Sequence, residues 1–414
     1  MKRVFHEARS AMNQRGVTAI LVAILLVVLV GFTALAIDIG HLVLARNELQ
    51  NAADAGALAG ARFLYNEDGT EVNEDANQTA YNAATANMSE NLAVEVLCDF
   101  ENNSGDVQRG HWSFATRTFT PNNSLDPVDL WNASTEELDN NTYFINAIRV
   151  VTRRQSHPVA SFFARIFGHQ GFQVSTEAIA YIGFAGTLGP GEVDQPIAIC
   201  KEALLNESKE YTCSVGRMIN SGQNVASHET GGWTSFNQDD PCTGGTNAQE
   251  VRDLVCNEGN PDSIMLGRDI ATNGGEIQSA FNKLIQCWED TTGKTEKWNL
   301  TLSVIICPGN NVGTCEQTVG AVNIDIVWIT DAGEDPEYTN APWQMEDWSN
   351  NDPDGQERWN SFVQYFKLQD VDETPCPYEK KSIYFLPNCT YHEPAGLSGG
   401  ENFGILAKVP VLVH

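Results

Sequence analysis

The run VTAILVAILLVVLVGFTALAI, Val17 to Ile37, decides how this chain is organised: 21 residues without a charge, bounded by Arg15 and Asp38. A helix of that length rises ~32 Å, enough to cross a hydrocarbon core ~30 Å thick. Upstream of it, Lys2, Arg3, Arg9 and Arg15 stand against Glu7 alone. The chain's formal charge of −29 therefore divides into +3 for residues 1–16 and −32 for everything beyond them. Basic residues on the near side place the N-terminus in the cytoplasm and the remainder outside it. A competing reading is a signal peptide released after Ala34-Leu35-Ala36, which fits a small-residue cleavage site. The apolar run, however, exceeds the ~7–15 residues usual for such a peptide.

The cysteines agree with that orientation. All ten lie downstream of the span, from Cys98 to Cys389, and none forms a C-x-x-C pair, so the spacing reads as disulfides in an oxidising compartment rather than as a zinc or redox motif. Connectivity stays open at this stage. Neighbour pairs Cys200–Cys213, Cys307–Cys315 and Cys376–Cys389 would close the shortest loops. The acidic balance argues against nucleic acid as a partner. With 42% hydrophobic and 19% charged residues, the downstream chain can bury a core.

Helical patterning continues past the span. Leu42, Ala45, Leu49, Ala52, Gly56, Ala59 and Phe63 alternate by three and four, placing mostly small residues on one face. This stripe either packs on the chain's own globular part or forms a seam for a partner helix. One helix from about Gly16 to Leu64 would be ~70 Å long, and Asn66-Glu67-Asp68-Gly69 should end it.

The N-terminal segment QRGVTA (Gln14–Ala19), the apolar span and RNELQNAADAGALAGA (Arg46–Ala61) resemble TadG-like proteins of the TadE/TadG group, which belong to the Tad (Flp) pilus-assembly system. A second block is similar too: Asn146–Val151, Phe162–Gly168 and Val174–Ala180, read as strand, apolar helix and strand after strand candidates at Ala93–Phe100 and Val107–Thr118. The resemblance implies a non-enzymatic, single-pass inner-membrane component that supports pilus biogenesis and adherence. Its implied partners are pilins, pseudopilins and the inner-membrane platform, besides lipid around residues 17–37. Pilins of the system carry glutamate at the fifth position after the processing-site glycine; here Leu21 follows Gly16 at that distance.

The expected architecture is α+β. A cytoplasmic segment (1–16), a transmembrane helix (17–37) and its amphipathic extension (38–64) precede a pilin-like α+β domain (65–185). Glycines and prolines from Gly183 to Pro196 mark a boundary. A β-rich, acidic, disulfide-bearing domain (190–414) follows, with a helix at Glu276–Trp288 that carries Ile277, Phe281, Leu284, Ile285 and Trp288 on one side, strands at Leu300–Cys307 and Val319–Ile329, and a closing strand at Phe403–Val413. Catalytic motifs of the H-E-x-x-H, P-loop and G-x-G-x-x-G types are absent. Asp352, Asp354 and Glu357 form an acidic turn with calcium-type ligands, read against a plain solvated turn. Trp343, Trp348, Trp359, Tyr365 and Phe366 are either core or an adhesive patch. The rival functional readings are a secreted adhesin and an extracytoplasmic hydrolase.

Overall fold

The computed structural model describes residues 4–66, 71–126, 128, 133–205, 211, 216–220, 231–275, 277–307, 312–330, 355–369, 374–388 and 396–414. Helix α1, Val4–Arg62, is unbroken for 59 residues, about 89 Å at 1.5 Å per residue. It contains no proline, and its interior is rich in alanine and leucine, the strongest helix formers. The helix tightens as it stops: Phe63 and Leu64 donate to the carbonyls of Gly60 and Ala61, three residues back. Helix α2, Ala76–Thr85, then runs back along it.

Five antiparallel strands form the sheet beneath these helices, in the spatial order Val411–Leu412, Gly171–Tyr181, Ala147–Ala160, Val107–Ser113 and Thr118–Pro121. Pleating sorts the residues by face. Ile148, Val150, Ala178 and Ala180 meet Ala53, Ala57 and Ala61 of α1 and Ala76, Ala80 and Ala84 of α2. Ala147, Ile179 and Tyr181 take the other face, with Trp112 and Val411. Three sequence expectations are refined here. Val107–Thr118 is two strands joined by a turn in which Arg117 has φ +54°. Ala93–Phe100 contributes only the short strands Leu92–Ala93 and Cys98–Asp99. The segment Phe162–Gly168 is a single 3-10 turn, Ala164–Phe167, stopped by Gly168 at φ +94°.

The remaining strands build a mixed sheet in the order Arg217–Asn220, Ser382–Pro387, Cys315–Ile329, Asp269–Asn273, Gly231–Thr234, Ile197–Cys200 and Trp298–Ile305. Trp298–Ile305 also pairs along Cys315–Ile329, so five of the strands close into a ring. Ile197–Cys200 and Trp298–Ile305 are parallel; the other pairings are antiparallel. Helix α5, Gln278–Thr292, buries Phe281, Leu284 and Trp288 against this sheet, the apolar side anticipated from the sequence. Helix α6, Gly355–Phe366, inserts Trp359, Phe362 and Phe366 into the same core, while Tyr365 is exposed. Trp343 and Trp348 lie outside the described residues. The whole is α+β.

Disulfides join Cys200 to Cys307, Cys242 to Cys315 and Cys256 to Cys287. The expected neighbour pairs Cys200–Cys213 and Cys307–Cys315 are therefore incorrect. Parallel pairing sets Cys200 opposite Ile305, which brings Cys307 to a Cα distance of 5.5 Å. Sheet adjacency, not closeness in sequence, selects the partner. Cys213 and Cys389 lie outside the described residues.

The expected closing strand Phe403–Val413 is mostly irregular. Gly404 has a positive φ and Pro410 lacks a donor. Only Val411–Leu412 is extended, and it pairs with Ala180 and Tyr181 of the first sheet.

Replacing Cys200 and Cys307 together by alanine opens a loop of 107 residues. On loop entropy this should cost about 4–5 kcal/mol. Urea unfolding of the full chain in detergent reads the loss, and peptide mapping without reductant should return the three linkages above.

Candidate functional site at the exit of the apolar span

The apolar span is exposed along its length, with no protein packed over Val17–Ile37 apart from partial cover at Ala34. Among the described residues it is the one helix long and apolar enough to cross a membrane. Beyond it, α1 lies antiparallel along strand Ala147–Ala160. Gly60 faces Ile148, Gly56 faces Val150, and the Thr152 hydroxyl donates to the Leu49 carbonyl at 2.8 Å. At the near end the His41 ring lies 3.2 Å from the Ala160 carbonyl oxygen. From Asp38 to Gly60 the helix rises ~33 Å, which matches the ~33 Å of the neighbouring strand Gly171–Tyr181.

The small-residue stripe is part of this docking. Ala45, Leu49, Ala52 and Gly56 are buried, Leu42 and Ala59 are half-buried, and Phe63 is 52% exposed. Leu49 and Ala52 pack with Val94. Past Ala52 the buried face moves to Ala53, Ala57, Gly60, Ala61 and Leu64. A straight helix turns every 3.6 residues, so a strict seven-residue repeat drifts from one face by ~20° per heptad. Glycine is required where α1 crosses α2. A Cβ on Gly60 would lie 2.6 Å from the Ala80 Cβ, and one on Gly56 would lie 2.9 Å from the Ala84 Cβ.

Where α1 leaves the apolar span, a polar cluster holds it. The Asp38 carboxylate, only 5% exposed, accepts the amides of Phe162, Phe163 and Ala164 and the Ser161 hydroxyl, at 2.7 to 3.2 Å. Desolvation acts to raise its pKa, but these donors together outweigh it and hold the group below the usual carboxylate range. One turn on, His41 and the buried Arg154 both pair with Glu90. Arg154 also donates to the carbonyls of His157, at 2.7 Å, and Ser89. Glu95 clamps the bulge in strand Ala147–Ala160 by accepting the amides of Gln155, Ser156 and His157 at 2.8 to 3.2 Å. Desolvation pushes its pKa up, and the amides of Ser156, His157 and Gln155 pull it further down, to about 2.

None of the acidic members of this cluster stood out in the sequence. Asp38 is legible there only as the end of an apolar run, and its partners lie more than 120 residues away.

Elsewhere the chemistry is sparse. Glu357 is exposed in the first turn of α6, while Asp352 and Asp354 lie outside the described residues. Two groupings with metal-type side chains, Cys200 with Glu202 and Cys307, and Cys242 with Asp269 and Cys315, have their sulfurs committed to disulfides. The letters Gly396-Leu397-Ser398-Gly399-Gly400 meet the G-x-S-x-G spacing. The Ser398 hydroxyl there donates to the Val409 carbonyl and accepts the Gly183 amide, both at 3.2 Å. The segment is a loop against Ala185 and Val409, not the strand-to-helix turn of a nucleophile elbow.

A long helix, half exposed and apolar, half docked on an antiparallel sheet, defines a class of α+β protein built around one N-terminal helix. Residues 16–62 match the Flp pilus-assembly TadE/G-like family, and residues 59–180 match the Tad-like Flp pilus-assembly family. Over residues 16–180 the chain is thus TadG-like, similar to proteins of the Tad (Flp) pilus-assembly group. No curated protein and no solved structure matches it.

Two glycines of α1 test the docking by opposite responses. Gly60→Ala should destabilise by about 1–3 kcal/mol through overpacking against α2. Gly40→Ala, with nothing within 4 Å of the new Cβ, should stabilise by roughly 0.5–1 kcal/mol through helix propensity. Unfolding midpoints in detergent separate the two.

Glu95 sets a pH response. Its folded pKa is depressed, so its contribution is present above the unfolded value near 4.5 and fades as pH falls towards about 2. Wild type should lose stability relative to Glu95→Gln across that window, as read by intrinsic fluorescence during acid titration.

Proposed function

We propose that this chain is a non-enzymatic, single-pass component of the Tad pilus machinery, held in the inner membrane by Val17–Ile37 with its N-terminus in the cytoplasm. The observation that carries the reading is the continuity of α1. One helix runs from an uncovered apolar half into a half buried against the α+β body, so the anchor and the folded part form one rigid piece. The basic residues ahead of the span and the disulfides beyond it support an orientation with the folded part outside. The unbroken helix through Ala34-Leu35-Ala36 favours retention of the span over release after Ala36.

In this role the extracytoplasmic part divides into a membrane-proximal pilin-like domain, 65–185, and a distal domain that begins near 190 and whose last strand, Val411–Leu412, returns to the first sheet. Pilins, pseudopilins and the inner-membrane platform are its partners. The part of the stripe centred on Ala45–Gly56 serves the chain's own packing. Partner helices would therefore meet the uncovered side of the span. A contribution to adherence follows from support of the pilus.

The test is fractionation of a Tad-bearing bacterium into inner membrane, periplasm and sheared pili, with the mature N-terminus determined by mass spectrometry in each. An intact N-terminus confined to the inner membrane, with fewer pili when the gene is deleted, is the expected result. A terminus near Ile37 in a soluble fraction would overturn the anchor. A terminus near Val17 in sheared pili would make the protein a minor pilin instead.

A further inference from the structure

The loop Ser161–Gly168 exposes Phe162 by 50%, Ile166 by 75% and Phe167 by 83%. Exposed apolar clusters of this kind mark a contact surface. Its place in the fold is fixed by the Asp38 carboxylate, which holds three of its amides and one hydroxyl. The His41 ring packs on Phe162 with centroids 5.0 Å apart. Asp38 immediately follows the 21-residue apolar span, which is ~32 Å long, so it marks the plane where hydrocarbon gives way to headgroups. The loop is therefore tied to that plane, next to the point where the uncovered apolar surface of α1 ends at Ile37.

Charge points the same way. In a chain of net charge −29, no aspartate or glutamate occurs from Ser156 to Thr176, while Arg165 and His169 lie exposed within that stretch. Such a composition suits the boundary between acyl chains and anionic headgroups, where apolar side chains insert ~5–10 Å.

We propose that Ser161–Gly168 is an interfacial foot: Phe162, Ile166 and Phe167 enter the lipid leaflet facing the folded part, and Arg165 sits among lipid phosphates. This rests on the anchored reading above and adds a second point of membrane attachment. Two attachments, joined through Asp38, fix the folded part's tilt and rotation relative to the bilayer, which a lone helix does not.

The experiment uses the full chain in vesicles of phosphatidylethanolamine and phosphatidylglycerol, with the photoreactive residue benzoylphenylalanine placed at Phe167 and, separately, at Ile166. Phe114 provides the control. It is also exposed, but it lies past the opposite end of the sheet, about 33 Å away along the strands. Flotation is scored first and irradiation second, with adducts identified by mass spectrometry. Lipid adducts severalfold more abundant at Phe167 and Ile166 than at Phe114 are expected. Protein that floats yet gives equal lipid adducts at all three positions, or adducts only to protein, would overturn the foot and leave the anchor standing. Protein that fails to float would overturn both.

Discussion

The Asp38 carboxylate is the point on which the membrane-proximal architecture depends. A helix half uncovered and half on a sheet has no intrinsic reason to keep one register against that sheet, because its docked face is mostly alanine and glycine. Small residues permit close approach, but they are poor at specifying position. Four donors converging on one buried oxygen pair supply what the stripe lacks: an axial reference that sets the start of the docked segment against the end of strand Ala147–Ala160. Buried polar groups of this kind are costly unless fully satisfied, so the cluster tolerates few alternative arrangements. The pairing of Glu90 with both His41 and Arg154 repeats the constraint one turn further along.

Much of this body was legible in advance because it follows local rules. The apolar span, the small-residue repeat as far as Ala52, strands around Ala147 and Val174, and helix α5 with its Phe281–Leu284–Trp288 side all obey simple periodicities. What escaped depends on neighbours distant in sequence. The drift of the buried face to Ala53, Ala57 and Ala61 appears only once α1 is seen to stay straight on the sheet. Cys307 belongs with Cys200 because two strands happen to lie parallel. Asp38 and Glu95 look like ordinary surface acids until loops from elsewhere bring backbone amides to them. The acidic turn at Asp352 and Asp354 carried a chemical expectation that the described residues reach only at Glu357.

The two bodies are held by different means. Near the span, close helix contact and a hydrogen-bonded carboxylate fix a mostly aliphatic core. In the second body, a ring of strands is fastened by three disulfides, two of them at strand ends, and by an aromatic core around Trp328, Trp359, Phe362 and Tyr384.

The strand Val411–Leu412 gives the chain a topology with a mechanical side. Because the chain's end returns to pair with Gly171–Tyr181, the distal body is threaded into the first sheet as an insertion, with an outgoing and a returning connection rather than one hinge. Tension applied to that body is thus shared between two neighbouring strands. Those strands lie in the sheet that α1 braces, so a pull on the inserted body is delivered along strands that run beside that helix.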